Sequence, residues 1–289
     1  MTFLTLLQQN TALFLGAVFV LGLLVGSFLN VVILRLPVMM ERRWQRECAE
    51  FTGAPLPETA EPFNLVTPRS RCPECGHLIS ALENIPVLSY LWLRGRCRHC
   101  GTAIPMRYPL VEILSALLAI TVAWHFGLDL PLPFALLLTW VLLALSFIDL
   151  DRQWLPDDLT LPFLWLGLLV NIRGVFTDLE SAVIGAAAGY LILWFVYHVF
   201  RKLTGKEGMG YGDFKLLAML GAWLGWQAIP LIVILSSLVG TVFGVSFLLL
   251  RRLGREQPIP FGPYLAIAGW IALIWGDRIT AAYLDWALG

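Results

Sequence analysis

Charge is scarce in this sequence, and what little there is balances. Of 289 residues, 14% are charged, with twenty Lys and Arg against twenty Asp and Glu. Bulk electrostatics therefore offers nucleic acid no attraction. The twelve tryptophans suit the interfacial belts of a lipid bilayer better than a base-stacking platform. A basic flank ahead of the first apolar run is also missing. MTFLTLLQQN carries no positive charge and no small-residue cleavage site follows, so that run is expected to stay as a permanent helix and not to be a cleaved signal. No G-x-G-x-G loop follows a strand-like run, and GMGYGD at 208–213 lacks the GK[ST] ending of a phosphate loop. Long repeats and low-complexity tracts are absent as well.

Apolar surface is what the chain has in abundance. It is 58% apolar, and its mean hydropathy of +0.75 lies far above that of soluble domains. Runs near 11–34, 108–126, 131–149, 159–175, 181–200 and 229–250 are long enough for membrane-crossing helices. Shorter runs near 215–228 and 262–276 are expected to span only if tilted, broken or buried among other helices. The expected fold class is an all-α polytopic membrane protein of about eight transmembrane helices. With that number of spans, the connections 35–107, 150–158, 201–215 and 251–261 hold eighteen of the twenty basic residues, leaving Arg173 and Arg278 on the other side. The positive-inside bias then puts both termini outside and the long first connection in the cytoplasm.

Three parts follow: a first transmembrane helix over 1–34, a small cytoplasmic domain over 35–107 and a membrane domain over 108–289. Within the second, residues 39–68 are rich in Glu, Arg, Pro and Ala with little periodicity, and are expected to be an irregular or mobile insertion. The knuckles RCPECGHLIS and RGRCRHCGTAIP follow it. Cys72, Cys75, Cys97 and Cys100 form C-x2-C-x21-C-x2-C, the spacing of a four-thiolate zinc ribbon, with Gly76 and Gly101 allowing each knuckle to turn tightly. Two disulfides are the competing reading, disfavoured on the reducing side of a membrane, and a redox pair would need only one C-x-x-C. Four cysteines close the coordination sphere, which makes the expected role structural. Cys48 stands outside the pattern.

Carboxylates gather at the other end of the argument. SFIDLDRQWLPDD places Asp149 at the membrane boundary, with Asp151, Asp157 and Asp158 just beyond it in an expected solvated loop. Asp213, in GMGYGDFK, opens a later apolar segment on the same side. Two such carboxylates facing one another would share a proton, one taking a proton from water while its protonated mate polarises a scissile carbonyl. Gly208, Gly210 and Gly212 would leave room for an extended substrate strand. Proton or ion translocation through the same carboxylates is an alternative, as is a helix cap at Asp213 with Asp149 held by Arg152.

These residues resemble a known family, the type IV prepilin peptidases, also called prepilin leader peptidases/N-methyltransferases. GSFLNVVILRLP at 26–37, the paired knuckles, ENIPVLSYLWLRGRC at 83–97, RYPLVEILSA at 107–116, FIDLDRQWLPD at 147–157, GMGYGDFKLLAMLGAWLG at 208–225 and PIPFGPYLAIAG at 258–269 resemble family blocks in the same order. The resemblance implies a bifunctional enzyme of the bacterial inner membrane. Such an enzyme removes the leader of type IV prepilins and type II secretion pseudopilins on the cytoplasmic side, then methylates the new amino group with S-adenosylmethionine. By position, Asp149 matches the family's first catalytic aspartate, Asp213 the aspartate of G-x-G-D with Gly210 and Gly212 in support, and Gly95 a position associated with methylation. Glu83, Asp151, Asp157 and Asp158 are candidate attractors for a basic leader. An ion-coupled transporter and a non-catalytic assembly scaffold are the competing classes.

Overall fold

A computed structural model describes residues 3–55, 62–206, 208–249 and 260–289. Residues 56–61 of the expected insertion, and most of the last basic connection with the start of the 258–269 block, lie outside the described residues. The described chain is all-α: α1 (Phe3–Gln9), α2 (Thr11–Thr52), α3 (Leu88–Trp92), α4 (Arg107–Phe126), α5 (Pro131–Arg152), α6 (Asp157–Asn171), α7 (Leu179–Thr204), α8 (Tyr211–Leu224), α9 (Ile229–Leu249) and α10 (Gly262–Leu288), with 3₁₀ turns at Leu82–Asn84 and Trp226–Ala228. Among the described residues, β pairing is limited to the isolated bridges Arg71–Leu78 and Arg96–Ala103. Among the described residues, six helices are long and apolar enough to cross a membrane, namely α2, α4, α5, α7, α10 and the segment Trp226–Phe243. Packing divides the chain into a unit of residues 1–128 and a unit of residues 129–289.

In the first unit, α2 runs unbroken for 42 residues. The expected end of the first membrane helix at 34 falls within it, and residues 39–52 are helical where an irregular insertion was expected. The Glu, Arg and Gln of MERRWQRE are good helix formers, and they extend a helix that the apolar stretch has already nucleated, so no apolar stripe is required. Arg43 and Glu47, one turn apart at 3.9 Å, add a weak contact. Gly53, at φ +67°, ends the helix in the left-handed conformation. Against α2 packs α4, at two small residues one turn apart. A Cβ on Gly22 would lie 2.6 Å from the Ala116 Cα and one on Gly26 2.7 Å from the Glu112 Cα, so only glycine lets the two backbones touch. The Ser115 hydroxyl donates to the Gly22 carbonyl at 2.7 Å across that contact.

The second unit is organised around α8. This 14-residue helix is buried throughout from Leu216 to Trp223, with Phe214, Leu216, Leu217, Met219, Leu220 and Trp223 fully enclosed. The uninterrupted apolar run after Lys215 is that of a helix inside a bundle. On α7, Gly185 and Gly189 receive the α8 backbone directly, at Gly221 and Leu217. The expected span at 159–175 is shorter: α6 has 15 residues and stops at Asn171. There the side-chain amide donates to the Ala222 and Trp223 carbonyls, at 2.9 Å each, and accepts from the Phe176 and Thr177 amides. A side chain so committed fixes the turn at the helix end. Conversely, the apolar run at 262–276 belongs to a 27-residue helix, because helix formers resume after Asp277 and Arg278.

Candidate active site and candidate metal centre

Asp149 lies in the last turn of α5 and Asp213 in the first turn of α8. Both are buried, with 5% and 6% of their surface exposed, and the Asp149 charge acts on Asp213. The Gly262 N–H donates to Asp149 Oδ2 at 3.1 Å, and the Gly210 N–H donates to Asp213 Oδ2 at 3.1 Å. Each carboxylate is thus held by a backbone donor at a helix start, where the partial positive charge favours an anion. For Asp213 the helix is its own. For Asp149 it is α10, whose second residue, Pro263, has no N–H, leaving Gly262 as the donor.

Leu155 ties these groups together. A Cβ on Gly212 would meet the Leu155 Cβ at 2.9 Å, and one on Gly262 would meet Leu155 Cδ2 at 3.1 Å and Asp149 Oδ2 at 2.6 Å. The two helix starts therefore close around one side chain next to the carboxylates. The three glycines of GMGYGD do different things. Gly208 makes room for the Phe200 ring and Gly212 for Leu155, whereas a Cβ on Gly210 would meet nothing nearer than 3.9 Å. Only Gly210 leaves open space beside Asp213. Gly262 and Leu155 were not singled out from sequence. The signal available was FGP at 261–263, a glycine and a proline at the head of an apolar run.

The flanking carboxylates differ from expectation. Asp157 lies in the first turn of α6, not in a loop, and both its oxygens bond the Lys215 ammonium, at 2.7 and 2.6 Å. Asp158 is in the same turn and Asp151 is in α5. Glu83 accepts from both the N–H and the hydroxyl of Ser80, at 2.8 Å each, and its own N–H bonds Ser80 Oγ at 3.4 Å. That reciprocal capping pair holds the Glu83 carboxyl below its usual range, chiefly through the Ser80 N–H. Asp157 and Glu83 are engaged within the fold, which weakens them as attractors for a basic leader.

In the first unit, the four sulfurs of Cys72, Cys75, Cys97 and Cys100 lie within 4.8 Å of one another. Cys72 to Cys100 is 3.8 Å and Cys75 to Cys97 is 4.0 Å. A tetrahedron with Zn–S bonds of about 2.3 Å has edges of about 3.8 Å, whereas a disulfide would need about 2.05 Å. The two knuckles are built alike. Cys72 N–H bonds the His77 carbonyl and Gly76 N–H the Cys72 carbonyl, at 2.9 and 3.0 Å. Cys97 N–H bonds Thr102 and Gly101 N–H bonds Cys97, at 2.8 and 2.9 Å. Gly76 at φ +70° and Gly101 at φ +75° complete the turns. His77 and His99 stack on each other at 5.3 Å, outside the sulfur set. Gly95 precedes the second knuckle at φ +67°, and a Cβ there would lie 2.9 Å from the Tyr90 hydroxyl.

The family described as the Bacterial Peptidase A24 N-terminal domain matches residues 20–126, and the Type IV leader peptidase family matches residues 136–245. The two matches fall one in each unit. A prepilin leader peptidase/N-methyltransferase of Aeromonas salmonicida is 61% identical over 275 residues, covering 94% of each chain. Proteins of the same name from Stutzerimonas stutzeri and Pseudomonas aeruginosa are each 58% identical and cover 99% of each chain. No solved structure matches significantly. Two domain matches in order and near-complete coverage by these relatives make this chain an integral membrane protein of the prepilin leader peptidase/N-methyltransferase family.

Proposed function

We propose that this enzyme cleaves the leader of type IV prepilins and type II pseudopilins with Asp149 and Asp213, and then methylates the new N-terminal amine with S-adenosylmethionine. The observation that carries the cleavage step is the pair of buried carboxylates, each accepting one backbone hydrogen bond on Oδ2. Among the described residues their Oδ1 atoms accept none, and remain for water and a scissile carbonyl. In the reaction the ionised aspartate takes a proton from water as the oxygen attacks the carbonyl carbon. The protonated aspartate donates to the carbonyl oxygen and steadies the tetrahedral species, then the departing nitrogen takes a proton. Gly210 leaves the space beside Asp213 through which an extended strand can enter. The ion-coupled transporter reading gains no support from the relatives and is set aside.

Cleavage is assigned to the unit of residues 129–289 and methyl transfer to the unit of residues 1–128. Zinc is the ion that the four thiolates fit, and it would hold the two knuckles together. S-adenosylmethionine supplies the electrophilic methyl group. With α6 and α8 counted as short spans beside the six longer helices, the charge bias supports a leader-facing side in the cytoplasm of a bacterial inner membrane and both termini in the periplasm. The test is cleavage of a synthetic prepilin by the purified chain, read by mass. Asp149→Asn and Asp213→Asn are each expected to lower the rate at least about 1,000-fold, while a pre-cleaved substrate is still methylated. Undiminished hydrolysis by either variant would remove the two-aspartate mechanism.

A further inference from the structure

Among the described residues three carboxylates are buried: Asp149, Asp213 and Glu112. The first two belong to the peptidase site. Glu112 belongs to neither the peptidase pair nor the thiolate cluster. It sits on α4 in the first unit, 7% exposed. The hydrogen bonds it receives come from neutral donors, the Val87 N–H at 2.7 Å on Oε2 and the Ser27 hydroxyl. A buried anion served by neutral donors alone is costly and calls for a cation.

Glu112 also lines a cavity of about 430 Å3 within the first unit. Ser27 and Asn30 of α2 line it with Glu112, as do Tyr90 and Tyr108, and its other charged or titratable lining groups include Arg35, Arg69, Arg71, Arg98, His77 and Glu83. That volume is in the range of about 300–1,000 Å3 typical of sites for small organic ligands. Tyr90 is the side chain against which Gly95 is packed, so the wall of the cavity depends on that glycine.

We propose that this cavity is the methyl-transfer site and that Glu112 is a catalytic residue there, receiving the α-ammonium of the cleaved substrate and taking its proton. The inference rests on the methyltransferase reading above. An α-amine has a pKa of about 7.7–8.0, so near neutrality most of it is protonated and lacks the lone pair that methylation needs. Glu112 removes one N–H proton. The nitrogen lone pair then forms the N–C bond as the carbon–sulfur bond of the sulfonium donor breaks, its electron pair staying on sulfur as a neutral thioether. The nitrogen retains one positive charge as a secondary ammonium.

A purely structural role is the alternative: Glu112 also clamps Val87, a β-branched residue at φ +61°. Glu112→Gln separates the two, because the amide oxygen still accepts from Val87 while the charge is gone. In the full-length detergent-solubilised enzyme, Glu112→Gln is expected to cleave prepilin at the wild-type rate and to bind S-adenosylhomocysteine within about twofold of wild type. Methyl transfer onto pre-cleaved substrate at pH 7 should fall about 100-fold and recover at least about tenfold by pH 9, where the amine is free without help. Methyl transfer at pH 7 close to wild type would overturn the proposal. So would a loss that pH does not restore, or one accompanied by weaker S-adenosylhomocysteine binding. Selective loss of affinity for a positively charged analogue of the donor would move Glu112 to the sulfonium and equally overturn it. If the wild-type chain itself methylates no prepilin, the functional reading fails and not this assignment alone.

Discussion

The knuckle region of the first unit and the helical core of the second hold their polar groups by opposite means. In the first, order around residues 70–105 comes from a sulfur cluster, turn hydrogen bonds and left-handed glycines, with little apolar burial: Leu78, Leu82, Leu88, Leu91 and Trp92 are exposed. In the second, two carboxylates are set among close-packed helices, with glycines admitting backbone against backbone and α8 buried from Leu216 to Trp223. A loop-built region can be opened by removing its cross-link. A helix-built one must be disturbed at a contact.

The largest effect should come from removing the proposed zinc from the first unit. Stripping zinc from the purified chain with a strong chelator, or replacing Cys97 by Ser, is expected to abolish methyl transfer and expose the knuckles to proteolysis. Cleavage by the second unit should decline far less. Metal content, limited proteolysis and both activities would be read on one preparation. Absence of stoichiometric zinc from freshly reduced protein would break the comparison at its root.

A smaller, converse effect is expected at Gly262. An alanine methyl would lie 2.6 Å from Asp149 Oδ2 and must push the carboxylate aside. A displacement on the order of 1 Å costs roughly 100-fold in rate, so Gly262→Ala should slow cleavage by about 10- to 100-fold and spare methyl transfer. Full cleavage activity would show that the Gly262 contact does not position Asp149. Smallest is Gly95→Ser. A left-handed φ of +67° costs a non-glycine residue roughly 1 kcal/mol or more, and the new side chain would press on Tyr90. Methyl transfer is expected to fall several-fold more than cleavage, and equal losses would count against two separate sites.

Local chemistry was legible in the sequence, while meetings between distant segments were not. The cysteine spacing fixes which sulfurs converge, because each pair lies in one turn. Asp149 and Asp213 stood out because carboxylates are rare next to apolar runs. What positions them was hidden: the Gly262 amide approaches Asp149 from 113 residues away, and no periodicity encodes that meeting. Helix lengths failed where composition and packing compete. Asn171 ends α6 early by bonding two carbonyls of α8, while residues 39–52 continue α2 without an apolar stripe to announce it. Asp157 reads as solvated until Lys215, 58 residues on, is seen beside it. Glu112 sits unremarked inside RYPLVEILSA, since one glutamate in an apolar helix looks like any other until its neighbours are known.

α2 stays helical through Pro37, which has no N–H to bond the Ile33 carbonyl and so leaves one rung of the ladder unmade between Arg35 and Arg42. Its 42 residues measure about 63 Å at about 1.5 Å each, roughly twice the thickness of a bilayer's hydrocarbon. Arg35 and Arg42, two turns apart on its shaft, both lie over the Phe63 ring, at 5.7 and 4.4 Å, and Arg35 also bonds the Asn64 carbonyl. One residue inserted between the two arginines would swing Arg42 about 100° around the shaft and leave Phe63 gripped on one side only. Angular phase along this single rod thus sets how the segment beginning at Phe63 is seated, so its spacing tolerates substitution far better than insertion.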